Sequence, residues 1–413
     1  MFTSRRKFGW VIVMLLLAGS LYAQNLTEQN GRYVAEISKT FAVTSGGTLS
    51  VRGISGDVKL TAWDKASVEI RETARLKVFT RAEAEEILQR LEGEISQNGN
   101  QVGIDGGDEW EWADRQLEIS LPTQFTVMLR ISDGDVTLRG VSGSLELRTS
   151  HGDVEVADAG GTLDIHTSAG NLEVLNLKGR LDAKTSGGNI RIANVTEDAM
   201  LNTSGGNIRV NDVQKALSAR TSGGEIEIRN AGGNVEARTS GGNISLQSCA
   251  GDAVLRTSGG DIDAETIAGN LEAKTSGGEV NGNNIAGRVD AATSGGDINF
   301  RNVRGAVRAA TSAGDVEVEI TPADFKQDHR IYLESSSGSI RLYLPEKMPA
   351  TISAEIRRNS RWNRNEIYSD FPLSGEDTGS ERTLRKRGDI NGGGDEIILE
   401  TTGGDIYIKK NRR

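Results

Sequence analysis

The sequence predicts an all-β protein: a parallel β-helix (β-solenoid) with about 18 residues and two strands per coil, and one short N-terminal helix as a cap. The phrase Thr-Ser-Gly-Gly, or a near copy, recurs every 18 residues without an insertion, which is typical of stacked repeats. With 51 Gly, 5 Pro and 5% aromatic residues, the chain suits many short strands around a narrow core. The Thr residues that open the phrase are Thr149, Thr167, Thr185, Thr203, Thr221, Thr239, Thr257, Thr275, Thr293 and Thr311.

Residues 1–23 have the pattern of a secretory signal peptide. Residues 5–7 are basic, residues 10–17 form a short apolar run, and small residues precede a cleavage position after Ala23. An uncleaved membrane anchor is the alternative, but this apolar run is short for a bilayer. We therefore expect an exported protein, periplasmic, on the outer surface or secreted, with no transmembrane segment after signal cleavage.

Residues 24–130 form a less regular N-terminal β region with a capping helix at about residues 81–94. Thr80 and Glu83 have the spacing of a capping box, in which each side chain bonds the other's backbone N–H. We expect this helix to cover the open end of the first coil, because an exposed sheet end recruits other chains. Its apolar stripe is formed by Ile87, Leu88, Leu91 and Ile95.

Residues 131–320 are the regular array, and each coil contains two half-repeats of alternating residues. One inward column runs from Val154 to Val316, and the facing column is interrupted by Ala199 and Ala253. At each interruption the next inward residue is Leu201 or Leu255, so the volume within the coil is conserved. We predict the same exchange between Gly282 and Phe300, one coil apart. Residues 321–413 then predict further coils, one long excursion and a closing cap.

The Thr-Ser-Gly-Gly phrase admits several functional interpretations. A phosphate-binding loop would need a following Lys and a helix, and a calcium β-roll would need a further Gly and Asp. An ice-binding Thr array would need outward Thr side chains, whereas the alternation from Leu145 places Thr149 inward or in the corner. We therefore predict a structural corner in which Gly permits the turn and the hydroxyls satisfy backbone groups.

The outward columns carry charge. Paired carboxylates on such a face could bind a cation or protonate a glycosidic oxygen, but a uniform array without insertions predicts no catalytic cleft. We expect a solvated, repeating surface suited to weak, multivalent contacts with a polymer. The basic column contains Arg148, His166, Lys184, Arg220, Arg238, Arg256 and Lys274, and the acidic column contains Asp153, Glu225, Asp261, Glu279, Asp297 and Asp315 with interspersed Asn.

Two groups of residues outside the array are candidates for ligand binding. Trp110 and Trp112 lie on one face of a predicted strand, where they could stack on sugar rings; packing against the cap helix is the alternative. A C-terminal basic cluster could bind an anionic partner, and a solvated loop of arginines is its alternative. That cluster consists of Arg357, Arg358, Arg361 and Arg364.

Composition argues against other chemistry. The net charge of −10 argues against nucleic acid as a partner, because phosphate contacts need a basic face. The single Cys249 excludes an intrachain disulfide, and the alternation places it in an apolar column. His151, His166 and His329 match no metal spacing. We predict no catalytic residue, no metal and no cofactor.

Short segments at both ends of the chain resemble the bacterial putative-adhesin family, whose members mostly have no known function. They include Gly-Asp-Val-Lys-Leu from Gly56, Ser-Asp-Gly-Asp-Val from Ser132, Leu-Tyr-Leu-Pro from Leu342 and Gly-Gly-Asp-Ile-Tyr-Ile from Gly403. The resemblance implies a parallel β-helix exported to the cell envelope, and it supplies no catalytic residues.

We therefore predict a non-enzymatic β-solenoid acting as an adhesin or as a structural or binding protein of the envelope. Its partner would be an envelope or extracellular polysaccharide or a surface protein. The alternatives are a polysaccharide-active β-helix enzyme and a scaffold in an envelope-sensing system.

Overall fold

The computed structural model describes residues 21–107, 112–358, 364–376 and 383–411. Over these residues the protein is all-β with one helix and many repeated strands, which confirms the predicted class. The first strand begins at Leu21, inside the predicted targeting segment, so cleavage after Ala23 stays a prediction. Among the described residues, no helix has the length and apolar content needed to cross a bilayer.

Within the described residues, the N-terminal region contains one helix and nine strands. These are β1 (Leu21–Gln29), β2 (Arg32–Ala42), β3 (Gly47–Trp63), β4 (Ser67–Leu76), α1 (Arg81–Glu94), β5 (Ile95–Asn98), β6 (Gln101–Asp105), β7 (Ala113–Pro122), β8 (Phe125–Asp133) and β9 (Val136–Arg139).

The array and the C-terminal region consist of short strands joined by turns. The first group comprises β10 (Ser142–Arg148), β11 (Val154–Ala157), β12 (Gly160–His166), β13 (Leu172–Lys184), β14 (Ile190–Val195), β15 (Ala199–Asn202), β16 (Ile208–Val213), β17 (Leu217–Arg220), β18 (Ile226–Ala231), β19 (Val235–Arg238), β20 (Ile244–Cys249), β21 (Ala253–Arg256), β22 (Ile262–Ile267) and β23 (Leu271–Lys274). The remaining strands are β24 (Val280–Ile285), β25 (Val289–Ala292), β26 (Ile298–Val303), β27 (Val307–Thr311), β28 (Val316–Ile320), β29 (Ile331–Ser335), β30 (Ile340–Leu344), β31 (Ala350–Arg357), β32 (Ile367–Ser369), β33 (Ser374–Glu376), β34 (Thr383–Ile390), β35 (Asp395–Thr401) and β36 (Ile406–Lys410).

The array strands form two parallel sheets, and each coil contributes one strand to each. Sheet 1 contains β9, β11, β14, β16 and the even-numbered strands that follow to β30. Sheet 2 contains β8, β10, β12, β15 and the odd-numbered strands that follow to β29. β13 runs through a corner and belongs to both sheets. Each residue pairs with the one 18 positions later, as Leu145 does with Leu163 and Val154 with Leu172.

The inward columns are buried as the alternation predicts. Ala199 and Leu201 are buried together, and so are Ala253 and Leu255, so a small residue is offset by a large one in the same coil. The Gly282 and Phe300 exchange is also present, because a Cβ added at Gly282 would lie 2.2 Å from the Phe300 ring. The aromatic ring therefore fills the volume that the glycine leaves open.

At the N-terminus, spatial order differs from chain order. β3 lies between β8 and β6 in sheet 2, and between β9 and β7 in sheet 1. Beyond β7 the antiparallel strands β4, β2 and β1 extend sheet 1, and β5 extends sheet 2 beyond β6. Antiparallel strands thus end both sheets, where a bare parallel edge would offer unpaired backbone groups.

The C-terminus has the same organisation. β35 lies between β29 and β31, and β36 lies between β30 and β32, so the last coil in sequence is inserted before the end of the stack. The end is formed by the excursion that precedes it. In sheet 2 the antiparallel strands β34 and β33 lie beyond β31, and in sheet 1 the parallel strand β32 is the last. The predicted cap is therefore the excursion itself.

Helix α1 packs its apolar stripe against the N-terminal coils. The predicted capping box is present, with the Glu83 N–H donating to Thr80 Oγ1 and the Thr80 N–H donating to the Glu83 carboxylate. Its buried residues are Ala84, Ile87, Leu88 and Leu91, and Ile95 follows as the first residue of β5.

A buried ion cluster fastens the end of α1 to sheet 1. Arg115 Nε lies 2.5 Å from Glu72 Oε1, and Arg115 Nη2 lies 2.7 Å from Glu94 Oε2. Burial raises the pKa of Glu72 despite the opposing charge of Arg115. Two carboxylates thus share one guanidinium, and Glu72 Oε2 has no hydrogen-bond partner among the described residues.

Candidate functional site

The Thr hydroxyl of each corner phrase forms hydrogen bonds with the backbone. Thr203 Oγ1 donates to the Gly188 carbonyl of the preceding coil at 2.8 Å and accepts from the Gly206 N–H of its own coil at 3.3 Å. The same two bonds recur at Thr221 and at Thr293. Because the Thr side chains are buried and doubly bonded, they are unavailable to a ligand.

The two glycines of the phrase have different roles. A Cβ at Gly206 would lie 2.0 Å from the Gly188 carbonyl oxygen, whereas a Cβ at Gly205 would meet nothing closer than 3.7 Å. The fourth residue must be Gly because adjacent coils approach so closely there. This corrects the prediction that Gly serves mainly to permit the turn. Ala169 and Ala313 occupy the third position without conflict.

In the column predicted as acidic and solvated, most Asp and Asn side chains accept hydrogen bonds from backbone N–H groups of the next coil. Asp153 Oδ1 accepts from the Asn171 N–H at 2.7 Å, and Asp261 Oδ1 accepts from the Glu279 N–H at 2.9 Å. The longer Glu225 and Glu279 make no such bond to the next coil within the described residues. The Asn and Asp residues thus satisfy corner N–H groups coil by coil, which accounts for their spacing without a bound cation.

The most regular exposed charge on sheet 2 is a set of four cations that we call the basic ridge. Adjacent members are register partners on successive coils, and their side chains are about half exposed. The ridge consists of Arg220, Arg238, Arg256 and Lys274.

Carboxylates of the neighbouring column partly neutralise the ridge. Glu236 lies 2.8 Å from Arg220 and 2.7 Å from Arg238. Glu272 contacts Arg256 and Lys274 in the same way, and Lys274 also reaches Asp290 at 3.2 Å. Hydrogen bonding from the ridge lowers the pKa of Glu236 and of Glu272, so both stay ionised at neutral pH. Four cations and these three carboxylates leave one positive charge in excess.

A groove of about 550 Å³ runs between the ridge and the corner phrases. Ser222 and Ser240 line it with exposed side chains, as do Ser258 and Ser276, and these hydroxyls make no hydrogen bond within the described part of the chain. The groove therefore offers cations along one edge and free hydroxyls along the other, and the array continues it past several coils.

The predicted aromatic pair is only partly visible. Trp110 lies outside the described residues. Trp112 is 50% exposed, and its carbonyl accepts from the Lys77 N–H at 2.7 Å. A sugar-stacking role for the pair stays a prediction.

The predicted C-terminal arginines are not gathered into one described site. Arg357 lies 2.8 Å from Glu355 and 3.5 Å from Glu400. Arg358 donates to the Asn365 carbonyl at 2.8 Å. Arg364 is exposed, and Arg361 lies outside the described residues. Arg357 and Arg358 thus already bind groups of their own chain, and a ligand role for the cluster stays a prediction.

The cysteine and His166 have structural surroundings that explain them without a ligand. Cys249 is buried in the column of Ile267, and burial raises the pKa of its thiol. His166 Nδ1 lies 2.6 Å from Asp164 Oδ1. The described residues contain no group of three or more His, Cys, Asp or Glu side chains arranged to hold a metal ion.

Sheet 1 carries an exposed aromatic stack that the sequence analysis did not predict. The rings of Tyr368 and Tyr407 lie 5.1 Å apart with an interplanar angle of 11°, and the Arg341 guanidinium lies 5.6 Å from the Tyr407 ring. Tyr368 precedes Tyr407 by a long excursion, so no local pattern indicates that their strands are neighbours.

The chain belongs to the Toastrack DUF4097 family, whose model matches residues 62–247 and again residues 232–409. This confirms the predicted membership in an adhesin-like family of unknown function. A putative adhesin from Bacteroides fragilis is similar at 16% identity, covering 64% of this chain and 97% of that chain with a TM-score of 0.24. A putative cell adhesion protein from Clostridium sporogenes is similar at 8% identity, covering 95% of this chain and all of that chain with a TM-score of 0.13. None of the curated proteins compared with the chain matches it.

Proposed function

We propose that this protein is an exported, non-enzymatic β-solenoid of the bacterial cell envelope that binds an extended anionic polymer along the basic ridge. The observation that carries the proposal is the register of Arg220, Arg238, Arg256 and Lys274 beside a row of unbonded Ser hydroxyls. Basic side chains on successive coils are about 4.8 Å apart, so one chain of repeated anions can contact several of them at once.

Binding of this kind depends on the number of contacts. Each exposed cation contributes little, because its charge is screened by solvent and shared with a carboxylate. Contacts along one polymer reinforce one another, since after the first contact the others form at high local concentration. Because the β-strands hold the ridge rigidly, polymer binding does not require a flexible loop of the protein to lose conformational entropy.

The same features favour binding over catalysis. Hydrolysis of a polysaccharide needs two carboxylates set on either side of one glycosidic bond. Along the ridge, Glu236 and Glu272 are instead held ionised by the ridge itself, so neither is suited to donate a proton at neutral pH. The signal-peptide pattern of residues 1–23 supports export.

The test compares two double variants with the same change in net charge. Immobilised protein is titrated with alginate, an anionic polysaccharide, and with neutral dextran. We expect alginate binding that weakens with added NaCl and no dextran binding, since salt screens exposed charges. Arg220→Gln with Arg238→Gln should weaken alginate binding by about tenfold, through loss of multivalent contacts. The matched control is Arg191→Gln with Arg209→Gln, on successive coils of sheet 1.

Equal loss in both double variants would show attraction to overall charge and not to the ridge. Shortening of any polysaccharide in a wider panel would favour the polysaccharide-active enzyme. Capture of a dedicated protein partner without polymer binding would favour the envelope-sensing scaffold. Cell fractionation with protease treatment of intact cells tests the location, and recovery from the cytoplasm would overturn export.

A further inference from the structure

The regular array is interrupted once on sheet 2, and a cavity lies at that interruption. Val307 pairs with Ile331, 24 residues later, instead of the 18 residues found between Val289 and Val307. The extra residues lie in the connection that precedes β29. A cavity of about 290 Å³ opens here, near the lower limit of volumes that hold a small ligand.

A small residue between two arginines creates the cavity. Along one turn column Arg288 is followed by Ala306 and then by Arg330, since the Val289 N–H bonds the Ala306 carbonyl and the Val307 N–H bonds the Arg330 carbonyl. One coil earlier the column holds Asn270, whose Oδ1 accepts from the Arg288 N–H at 2.9 Å. A guanidinium only donates, so Arg288 ends this chain of amide bonds.

Two of the cavity's three arginines are not hydrogen-bonded to a carboxylate within the described residues, although the charge of Arg288 contributes to the lowered pKa of Asp328. Arg308 lies with its guanidinium carbon 5.6 Å from the Tyr332 ring, and neither it nor Arg288 forms an ion pair within the described residues. Arg330 is different, because Asp328 binds it through two contacts of 2.9 and 2.7 Å. The cavity thus presents two guanidinium groups able to take a carboxylate in the planar, two-bond geometry that arginine favours.

The rest of the lining restricts the ligand. Asp328 and Glu396 oppose the three arginines, so the lining carries a net charge of one positive unit. Their oxygens accept hydrogen bonds from hydroxyls and repel a doubly charged phosphate. Ile398 and the Tyr332 ring, both partly exposed, supply apolar surface. A ligand with one carboxylate, several hydroxyls and an apolar ring face satisfies all three sets of groups.

We propose that this cavity binds a single hexuronate unit, with its carboxylate on Arg288 and Arg308 and its hydroxyls toward Asp328 and Glu396. The site is separate from the basic ridge, and a free monosaccharide has a single carboxylate, so it gains none of the multivalent contacts on which ridge binding depends. Its test is therefore independent of the polymer binding proposed above.

Isothermal titration with D-glucuronate tests the proposal, alongside D-glucose, acetate and D-glucose 6-phosphate. We expect saturable binding of glucuronate, and binding of the other three at least about tenfold weaker, because each lacks one of the matched groups. Arg308→Ala should remove binding. Ala306→Leu should do the same, because a larger side chain in the cavity lining fills the gap while every charge is kept. Arg191→Ala is the control on sheet 1 and should bind as the wild type does.

Thermal unfolding of each variant shows whether the fold is retained. The proposal is overturned if glucuronate does not bind, if glucose binds equally well, or if folded Ala306→Leu retains wild-type affinity. Equal binding of acetate would reduce the site to an anion contact without sugar recognition, which also contradicts it. Failure of the Arg220 and Arg238 double variant to affect alginate binding would leave this result unchanged.

Discussion

At the scale of single residues, each polar residue of the repeated corner phrase makes a different hydrogen bond to the backbone. Thr bridges two coils through its hydroxyl, and the Asn or Asp that follows the glycines accepts from the next coil's backbone. Neither role demands a ligand. Both roles recur because every coil has the same orphaned backbone groups to satisfy.

Alanine substitutions at the two glycines of one corner should have opposite effects on the stability of the protein. Gly206→Ala places a methyl group 2.0 Å from a backbone oxygen and should destabilise the protein by about 1–3 kcal/mol, as overpacking does. Gly205→Ala has room and should change stability by less than about 1 kcal/mol, in the stabilising direction, through the unfolded state. Urea unfolding of both variants measures the difference, and equal destabilisation would contradict the close approach of the coils.

The sequence predicted which side chains point inward, but not which glycines are required, because that depends on distances between coils. Alternation placed Cys249, Leu201 and Phe300 inside, and the structure buries all three. The need for Gly206 but not Gly205 could not be read, because it depends on a separation between backbones of adjacent coils.

At the scale of elements, helix α1 depends on both its sequence and its surroundings. Thr80 and Glu83 determine where it starts, through bonds within four residues. Its far end is held by Arg115 of β7, which sequence reasoning missed because Glu72, Glu94 and Arg115 lie far apart in the chain.

The buried cluster predicts a pH dependence of stability. The pKa of Glu72 is raised in the folded protein above its ordinary 4.5, so the folded state holds this proton more tightly than the unfolded state. The contribution of Glu72 is therefore most favourable below pH 4.5 and is lost as the pH rises toward the folded pKa. Glu72→Gln should gain stability relative to the wild type as the pH rises above 4.5.

Urea unfolding of both proteins at several pH values measures that relative gain. A difference that stays constant with pH would contradict it. Arg115→Ala serves as the comparison, and it should cost about 3–5 kcal/mol at neutral pH because it leaves two buried carboxylates without a partner.

At the scale of the whole molecule, the solenoid is a one-dimensional stack in which each coil contacts its two neighbours. Stability in such a stack is close to a sum over coils and their interfaces. Antiparallel strands end both sheets at the N-terminus and sheet 2 at the C-terminus, and the short strand β32 ends sheet 1 there. The middle of the array can therefore change length without altering either end.

Deleting one whole coil should therefore be tolerated. Removal of residues 223–240, which are 18 positions, joins Ser222 to Gly241 and restores the corner phrase, so we expect a soluble protein with unchanged strand content. Removal of residues 223–231, half a coil, brings the strand of the other sheet to the same corner and should cause misfolding. Circular dichroism and size-exclusion chromatography compare the two, and equal behaviour would contradict the 18-residue register.

The sequence by itself determined the period, the inward columns, the single helix and the family, because each depends on local alternation or on a spacing that never varies. The tertiary structure decided the order of the coils at both ends, the sharing of Arg115 by two acids, the basic ridge beside its hydroxyl groove, and the cavity between Arg288 and Arg330. These features bring together residues with no fixed separation in the chain, and only the stacking of coils sets the distances between them.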